Sequence, residues 1–427
     1  MPKSLKISLL AVSAALLLTV FLGANLSGVH AATGSDKEGA YRQIHVYGEV
    51  LQHIQSDYVE EPKMAVVTTG ALRGLVETLD SSSSYMPADE YKLYKANVFG
   101  KGTLGMTVAK RGYYAVIVST VNGGPADKAG LNDGDVIESI GDISTHDLSV
   151  ASIQNKLAGQ PGTNVTLFVI RPRHSRPEKM QLTLSDLQPV PVAETFYEQN
   201  SILYLKPAII DRDHVQQIEQ KLKAMNRTNT KKVLLDLRDV STGTEADGLR
   251  LANLFIKNGT LATLEGQKFN RQTFTAEPGK SVNSSAPLVA IVNRGTAGPA
   301  ELVAGALLDS KRADVVGEKT FGQGSELKTF EMPDGSAVIL SVAKYHTPAG
   351  KKLQDEGVVP NILVAQDMGD QAAAGADDED EDSTDSQVSN ASQTVNASKP
   401  SLPQGKQPVI VDEQLNKALD MLKGKNA

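Results

Sequence analysis

From residue 40 to residue 364, apolar positions recur first at helical spacing, then in alternation, then in short solid runs. Each pattern predicts a different element. Between 40 and 98, "YRQIHVYGEVLQHIQSDYV" sets Ile44, Tyr47, Val50, Leu51 and Ile54 on one stripe of a helix. "MAVVTTGALRGLVETLD" repeats the spacing with Val67, Ala71, Leu75 and Leu79, and "DSSSSYM" then reads as a turn. Two such helices have little core of their own, so they are expected to pack on something larger.

From 99 to 187 the period shortens. "YYAVIVSTV", "NVTLFVIRP" and "MQLTLSDL" read as strands. "GPADKAG" is a short helix begun by Pro125 and stopped by Gly130, and "LSVASIQNKLAG" an amphipathic helix with Val150, Ile153 and Leu157 inward. A small β-rich module with two helices follows from this pattern.

Between about 193 and 364, short apolar runs alternate with helices: "SILYLKPA", "DHVQQIEQKLKAM", "KKVLLDLRD", "ADGLRLANLFIKNG", "APLVAIVNRG" and "AELVAGALLDS". That alternation predicts an α/β core with a mainly parallel sheet. Ligands of such sheets meet the carboxyl ends of the strands, where Asp236–Thr244 and Asn293–Gly298 fall. Residues 366–406 hold almost no apolar side chains beyond Ala and Val and are expected to be disordered, because burial there cannot offset ordering entropy. "VIVDEQLNKALDMLKG" regains helical periodicity and is expected to dock back on the core.

At the other end, Lys3 and Lys6 precede the apolar run Ile7 to Leu22, and Val29-His30-Ala31 is a small-residue cleavage pattern. These are the parts of a signal peptide, with an uncleaved membrane anchor as the alternative. Either way the chain is expected to be exported: periplasmic, in the cell envelope, or secreted. The expected organisation is a signal peptide (1–31), a helical region (32–98), the β-rich module (99–187), the α/β core (188–365), an acidic linker (366–406) and a C-terminal helix (407–427).

Composition narrows the chemistry. The absence of Cys excludes disulfides, thiolate metal sites and a cysteine nucleophile. The net charge of −7 is matched by the seven carboxylates Asp377, Asp378, Glu379, Asp380, Glu381, Asp382 and Asp385, so the remainder is near neutral. This argues against nucleic acid as the main partner. His45, His53, His146, His174, His214 and His346 are scattered, with no metal-ligand spacing, and no phosphate loop is present. No cofactor is expected.

"VNRGTAGPAEL", residues 292–302, reads as a strand end, a tight turn and a helix start. Enzymes use such elbows to hold a nucleophile above a helix N-terminus. Here the apex carries none. Gly298 suits the N-cap, Pro299 the first helical position and Glu301 the third.

Taken in order, several segments resemble the C-terminal processing peptidases, also called tail-specific proteases, from about residue 40 to 425. They are "YVEEP" and "GALRGLVETLDSSSSYM"; "GPADKAGLNDGDVIESIGD" in a PDZ module; and, in the core, "LLDLRD", "VNRGTA…AELVAGALLDSKRADVVGEKTFGQGS" and "DGSAVILSVAKYHTPAGKKLQDEGVVPNI". The resemblance implies a core of the tail-specific protease type. It also implies a PDZ domain that binds C-terminal residues, and peptide cleavage by a Ser–Lys dyad. The family serine falls at Gly298, its lysine at Gln323 and the glutamine that assists the lysine at Leu327. One oxyanion donor in the family is the N–H of the residue after the serine, here Pro299, which has none. The other comes from a stretch Asp-Leu-Arg-Gly-Asn-x-Gly-Gly, here "DLRDVSTG".

Glycine has no attacking atom, and glutamine takes up no proton near neutral pH. These positions therefore point to a pseudoprotease that binds protein C-termini or unfolded peptides without hydrolysis, as an adaptor or regulator. An active relative is a further expected partner, and self-association is expected by family analogy. In the PDZ module the carboxylate nest is expected at Leu104, Gly105 and Met106, with Ile153 and Leu157 lining the pocket for the last side chain. Two alternatives stay open: an active endopeptidase with a relocated pair drawn from Thr296, Ser325, Lys319 and Lys328, and a structural envelope protein whose PDZ module binds nothing.

Overall fold

The computed structural model describes residues 35–96, 101–172, 176–188, 190–197, 201–225, 230–365 and 412–425. The signal-type segment, the acidic linker and His174 lie outside the described residues. Among those described, no helix is long and apolar enough to cross a membrane. The described residues up to Ala71 form one unit and those from Leu72 onward a second.

The first unit contains the helix Ser35–Asp57 and the start of the helix Met64–Glu77. Tyr47 Oη donates to the Ala71 carbonyl at 3.4 Å. The stripe expected to be packed away has Ile44, Tyr47 and Val50 exposed.

In the second unit, a six-stranded sheet runs in the order Ala193–Tyr197, Ile202–Lys206, Lys232–Asp236, Leu288–Val292, Asp314–Gly317, Ile362–Leu363. Only the first pair is antiparallel; Val233 faces Leu288 and Val289 faces Asp314 in parallel register. The central strands Lys232–Asp236 and Leu288–Val292 are apolar on both faces because both are covered. Leu235, Ala290 and Val315 pack against Ile218, Phe255 and Val303 of the helices Arg212–Met225, Glu245–Phe255 and Pro299–Asp309. On the opposite face, Leu234, Val289 and Ile291 pack against Ala418, Leu419 and Leu422 of the helix Glu413–Gly424, which does dock back on the core.

Polar contacts fix both ends of that helix. Asp412 caps it, accepting the Leu415 N–H at 2.9 Å, and receives the Arg238 guanidinium through two nitrogens at 2.9 and 2.8 Å. Lys232 Nζ donates to the Leu422 carbonyl, one of the acceptors a helix C-terminus leaves unpaired, at 2.7 Å. Arg238 also pairs with Asp236, which is fully buried. Burial would raise the Asp236 carboxyl, but the hydrogen bonds and charge of Arg238 outweigh it and hold the group below its ordinary value.

A second, antiparallel sheet joins Ser84–Met86, Ala337–His346, Thr260–Gly266 and Phe269–Thr275, with Ser325–Glu331 also paired to Ala337–His346. This corrects the turn expected over "DSSSSYM": Ser84, Tyr85 and Met86 form a strand whose partners are Ile339, Val338 and Ala337.

The β-rich module is an antiparallel sheet in the order Met106–Arg111, Tyr114–Thr120, Val136–Ile140, Asn164–Ile170, Glu178–Thr183. The helix Val150–Lys156 lies beside the first strand and is capped by Ser149, whose Oγ accepts the Ser152 N–H at 3.1 Å. A cluster of Met86, Tyr91, Ala151, Ala337 and Ile339 joins this helix to the second sheet.

Candidate functional site

The elbow forms at the end of the strand Leu288–Val292, beside the exit of Lys232–Asp236. Asn293 ties the two together: its Oδ1 accepts the Asp239 and Gly295 N–H groups at 3.0 and 3.1 Å, and its Nδ2 donates to Asp239 Oδ1 at 2.7 Å. Thr296 Oγ1 donates to the Leu237 carbonyl at 2.8 Å and accepts the Asn293 N–H at 3.0 Å. Gly298 then sits at φ 54°, ψ −117°, a conformation L-residues rarely adopt. A Cβ there would find its nearest neighbour, the Ser241 carbonyl oxygen, at 3.9 Å, so a Cβ at this position meets no close contact. Pro299 opens the helix as expected and offers no N–H to the space above Gly298.

Glu301 is the residue that sequence reasoning undervalued. It is fully buried and accepts hydrogen bonds from Gly298 N at 3.0 Å, Gly322 N at 2.8 Å, Gln323 N at 2.7 Å and the Thr320 hydroxyl. Burial pushes its carboxyl up to about 7, although all these donors favour the anion. Its carboxylate therefore joins the elbow to the turn "FGQG". Its spacing from Gly298 signalled a helix cap, but nothing local signalled its partners at 320–323.

Gln323 and Leu327 share a cavity of about 240 Å³, and Gly298 connects to Gln323 through Glu301. The Gln323 side chain is exposed and Leu327 is 47% exposed. None of the four residues considered for a relocated dyad is paired with another. Thr296 is held inside the elbow, Ser325 Oγ is buried without a hydrogen-bond partner, and Lys319 is exposed. Lys328 is also exposed, its Nζ lying 5.3 Å from the centre of the Phe330 ring. Among the described residues no group of His, Asp and Glu could hold a metal ion.

The same cavity is walled by the β-rich module through Val108 and Ala109 of the edge strand and Val150, Ala151 and Gln154 of the helix. Leu104, Ile153 and Leu157, named from the sequence, are buried in the module's core, and Met106 is half-buried. The Gly105 N–H donates to Thr103 Oγ1 at 3.1 Å, and a Cβ at Gly105 would stand 2.7 Å from Leu187 Cδ1. The module is fastened to the core beside the elbow by hydroxyls. Ser241 Oγ donates to Thr107 Oγ1 at 2.8 Å and lies 2.5 Å from Ser119 Oγ, and Thr107 and Thr242 hydroxyls are 3.2 Å apart. Arg111 adds a bond to the Phe321 carbonyl at 3.0 Å and lies 4.8 Å from the centre of its ring. A larger cavity of about 410 Å³ opens beside Lys319 and Leu363, but neither Gly298 nor Gln323 lines it.

Residues 201–364 match peptidase family S41, and residues 116–171 match a PDZ domain. The chain is 31% identical over 308 residues to the chloroplastic carboxyl-terminal-processing peptidase 2 of Arabidopsis thaliana, an alignment covering 68% of this chain and 59% of that protein. It is 27% identical over 356 residues to the carboxy-terminal-processing protease of Bartonella bacilliformis, covering 82% and 81%. Among solved structures it is similar to a photosystem II D1 C-terminal processing protease, with a TM-score of 0.63, 26% identity, and coverage of 74% of this chain and 85% of that one.

Proposed function

The chain belongs to the C-terminal processing peptidase family, with an S41 core and a PDZ domain, and we propose that within it this protein binds polypeptide without cutting it. One observation carries the reading. The elbow keeps its shape and no close contact bars a Cβ at its apex, yet that apex is Gly298, which has no attacking atom. The neighbouring turn presents Gln323, which cannot accept the proton a serine would release. Pro299 leaves the tetrahedral oxyanion without the donor that follows the nucleophile.

What remains is a groove between the PDZ strand and helix and the turn at 321–323, which Glu301 ties to the elbow. It suits the capture of extended peptides or protein C-termini, and a role as adaptor or regulator, including of an active relative. The N-terminal run from Lys3 to Ala31 supports export to the periplasm, cell envelope or exterior.

An active peptidase with a rearranged nucleophile is the second reading, favoured by one feature: the unpartnered Ser325 Oγ close to Gln323. Incubation with a library of free-C-terminus peptides, read by mass spectrometry for products and by anisotropy for binding, separates the two. Binding without product supports capture. Product that vanishes in Ser325→Ala or Lys319→Ala overturns it.

A further inference from the structure

The cavity between the PDZ domain and the turn that carries Gln323 has a uniform chemical character. None of its lining residues carries a charge. Its polar groups are amides and hydroxyls, among them Gln154, Gln323, Gln354, Ser81, Ser84 and Thr329. Val108, Val150, Leu327 and Ile339 supply the apolar wall.

No cation lines the cavity, and the two on the adjoining edge strand are Lys110 and Arg111. Lys110, 6% exposed, binds Glu77 Oε1 and the His146 carbonyl, each at 3.1 Å. Arg111 is held on Phe321 by its hydrogen bond and its ring contact. The backbone nest that would receive a terminal carboxylate is compromised too. The Gly105 N–H is taken by Thr103 Oγ1, and Leu187 packs against the Gly105 backbone. A carboxylate entering this cavity would lose its hydration and meet no charged lining residue, and one of the three nest N–H groups is already taken, which is costly.

An extended backbone is accommodated well. Met106–Arg111 is paired on one side only, with Tyr114–Thr120, and among the described residues no strand covers its other edge. That edge offers main-chain hydrogen bonds to an added strand, whose alternate side chains meet the amide and apolar walls.

We propose that this cavity receives an internal, uncharged, extended segment of a polypeptide rather than a free C-terminus. The proposal rests on the reading that the chain captures peptide. Gln354 is held by Gly324 N and Asp355, while Gln154 and Gln323, both exposed, act as the specificity-determining side chains. They bond backbone amides and neutral polar groups and give no compensation to a charged one.

The test uses the full chain and a labelled short peptide rich in Ser, Gln and Val. It is prepared with an amidated end, with a free acid end, and, in the amidated form, with a central Lys or Glu. Fluorescence anisotropy is expected to give Kd values for the amide and the acid within about twofold of each other, and a loss of about tenfold or more for either charged centre. Gln323→Glu, at an exposed side chain, is expected to improve the Lys peptide by about tenfold while weakening the neutral one. An acid form that binds tenfold tighter than the amide would leave peptide capture standing and overturn this inference, as would charged centres that bind as well as neutral ones. No binding by any peptide, with circular dichroism showing a folded chain, would overturn the capture reading itself.

Discussion

Gly298 and Gln323 give their backbone N–H groups to the same carboxylate oxygen, Glu301 Oε2, at 3.0 and 2.7 Å. The two positions at which the family resemblance places nucleophile and base are thus joined through one side chain. What preserves the geometry is a buried structural acid that belongs to neither role.

That acid makes stability depend on pH. Glu301 is raised by burial from 4.5 to about 7, so the folded chain holds its proton more tightly than the unfolded chain does. Its contribution is complete below about pH 4.5 and is lost progressively as pH rises to about 7. The full shift corresponds to about 3 kcal/mol. Urea unfolding of wild type and Glu301→Gln across this window should show the wild type losing up to about 3 kcal/mol relative to the variant. A constant difference between the two would contradict the assignment.

Replacing the apex alone should not restore catalysis. Gly298→Ser finds room for its Cβ, but φ 54° strains an L-residue, so we expect a loss of about 1–2 kcal/mol in stability. With Gln323 and Pro299 unchanged, no product should form. Turnover by this single variant, read by mass spectrometry, would show that a base and an oxyanion donor are present where none was identified.

The hydroxyl contacts between the PDZ domain and the core should behave as a fastening. Ser241→Ala removes the bond to Thr107 and the contact with Ser119, and Arg111→Ala removes the bond to Phe321. Each should cost about 1 kcal/mol of local stability and speed amide exchange in Met106–Arg111 and around Phe321. Unchanged exchange in the double variant would mean that apolar packing alone sets the PDZ position.

Arg238 should be among the most sensitive residues in the core. Its loss leaves Asp236 buried without a counter-charge and frees Asp412 at the start of the C-terminal helix. Arg238→Ala should destabilise by about 3–5 kcal/mol. Asp412→Ala removes a half-exposed partner and a helix cap, and should cost about 1 kcal/mol. Chemical denaturation of the two variants checks both the size and the order.

Features carried by neighbouring residues were legible in the sequence. The helix start at Gly298, Pro299 and Glu301 follows from capping preferences, and the runs "KVLLD" and "LVAIV" read as strands covered on both faces. Features that exist only through pairing were not. Ser84–Met86 has no strand pattern of its own and becomes a strand because Ala337–Ile339 lies beside it. Thr107, Ser119 and Ser241 are ordinary loop and strand hydroxyls until the fold brings them within hydrogen-bond distance. Which residues of the PDZ helix line the neighbouring cavity also depends on packing. Ile153 and Leu157 satisfy the apolar stripe by facing the core, which leaves Val150 and Gln154 to face the cavity.

The most direct test of capture without cleavage reads both events in one sample. An extended peptide carrying a fluorophore and a quencher on opposite ends is titrated with the purified chain. A saturable rise in anisotropy with no recovery of fluorescence, even after prolonged incubation, is the predicted result. Recovery of fluorescence that scales with the amount of chain, and disappears when Ser325 or Lys319 is replaced by alanine, would contradict the account and show a working peptidase.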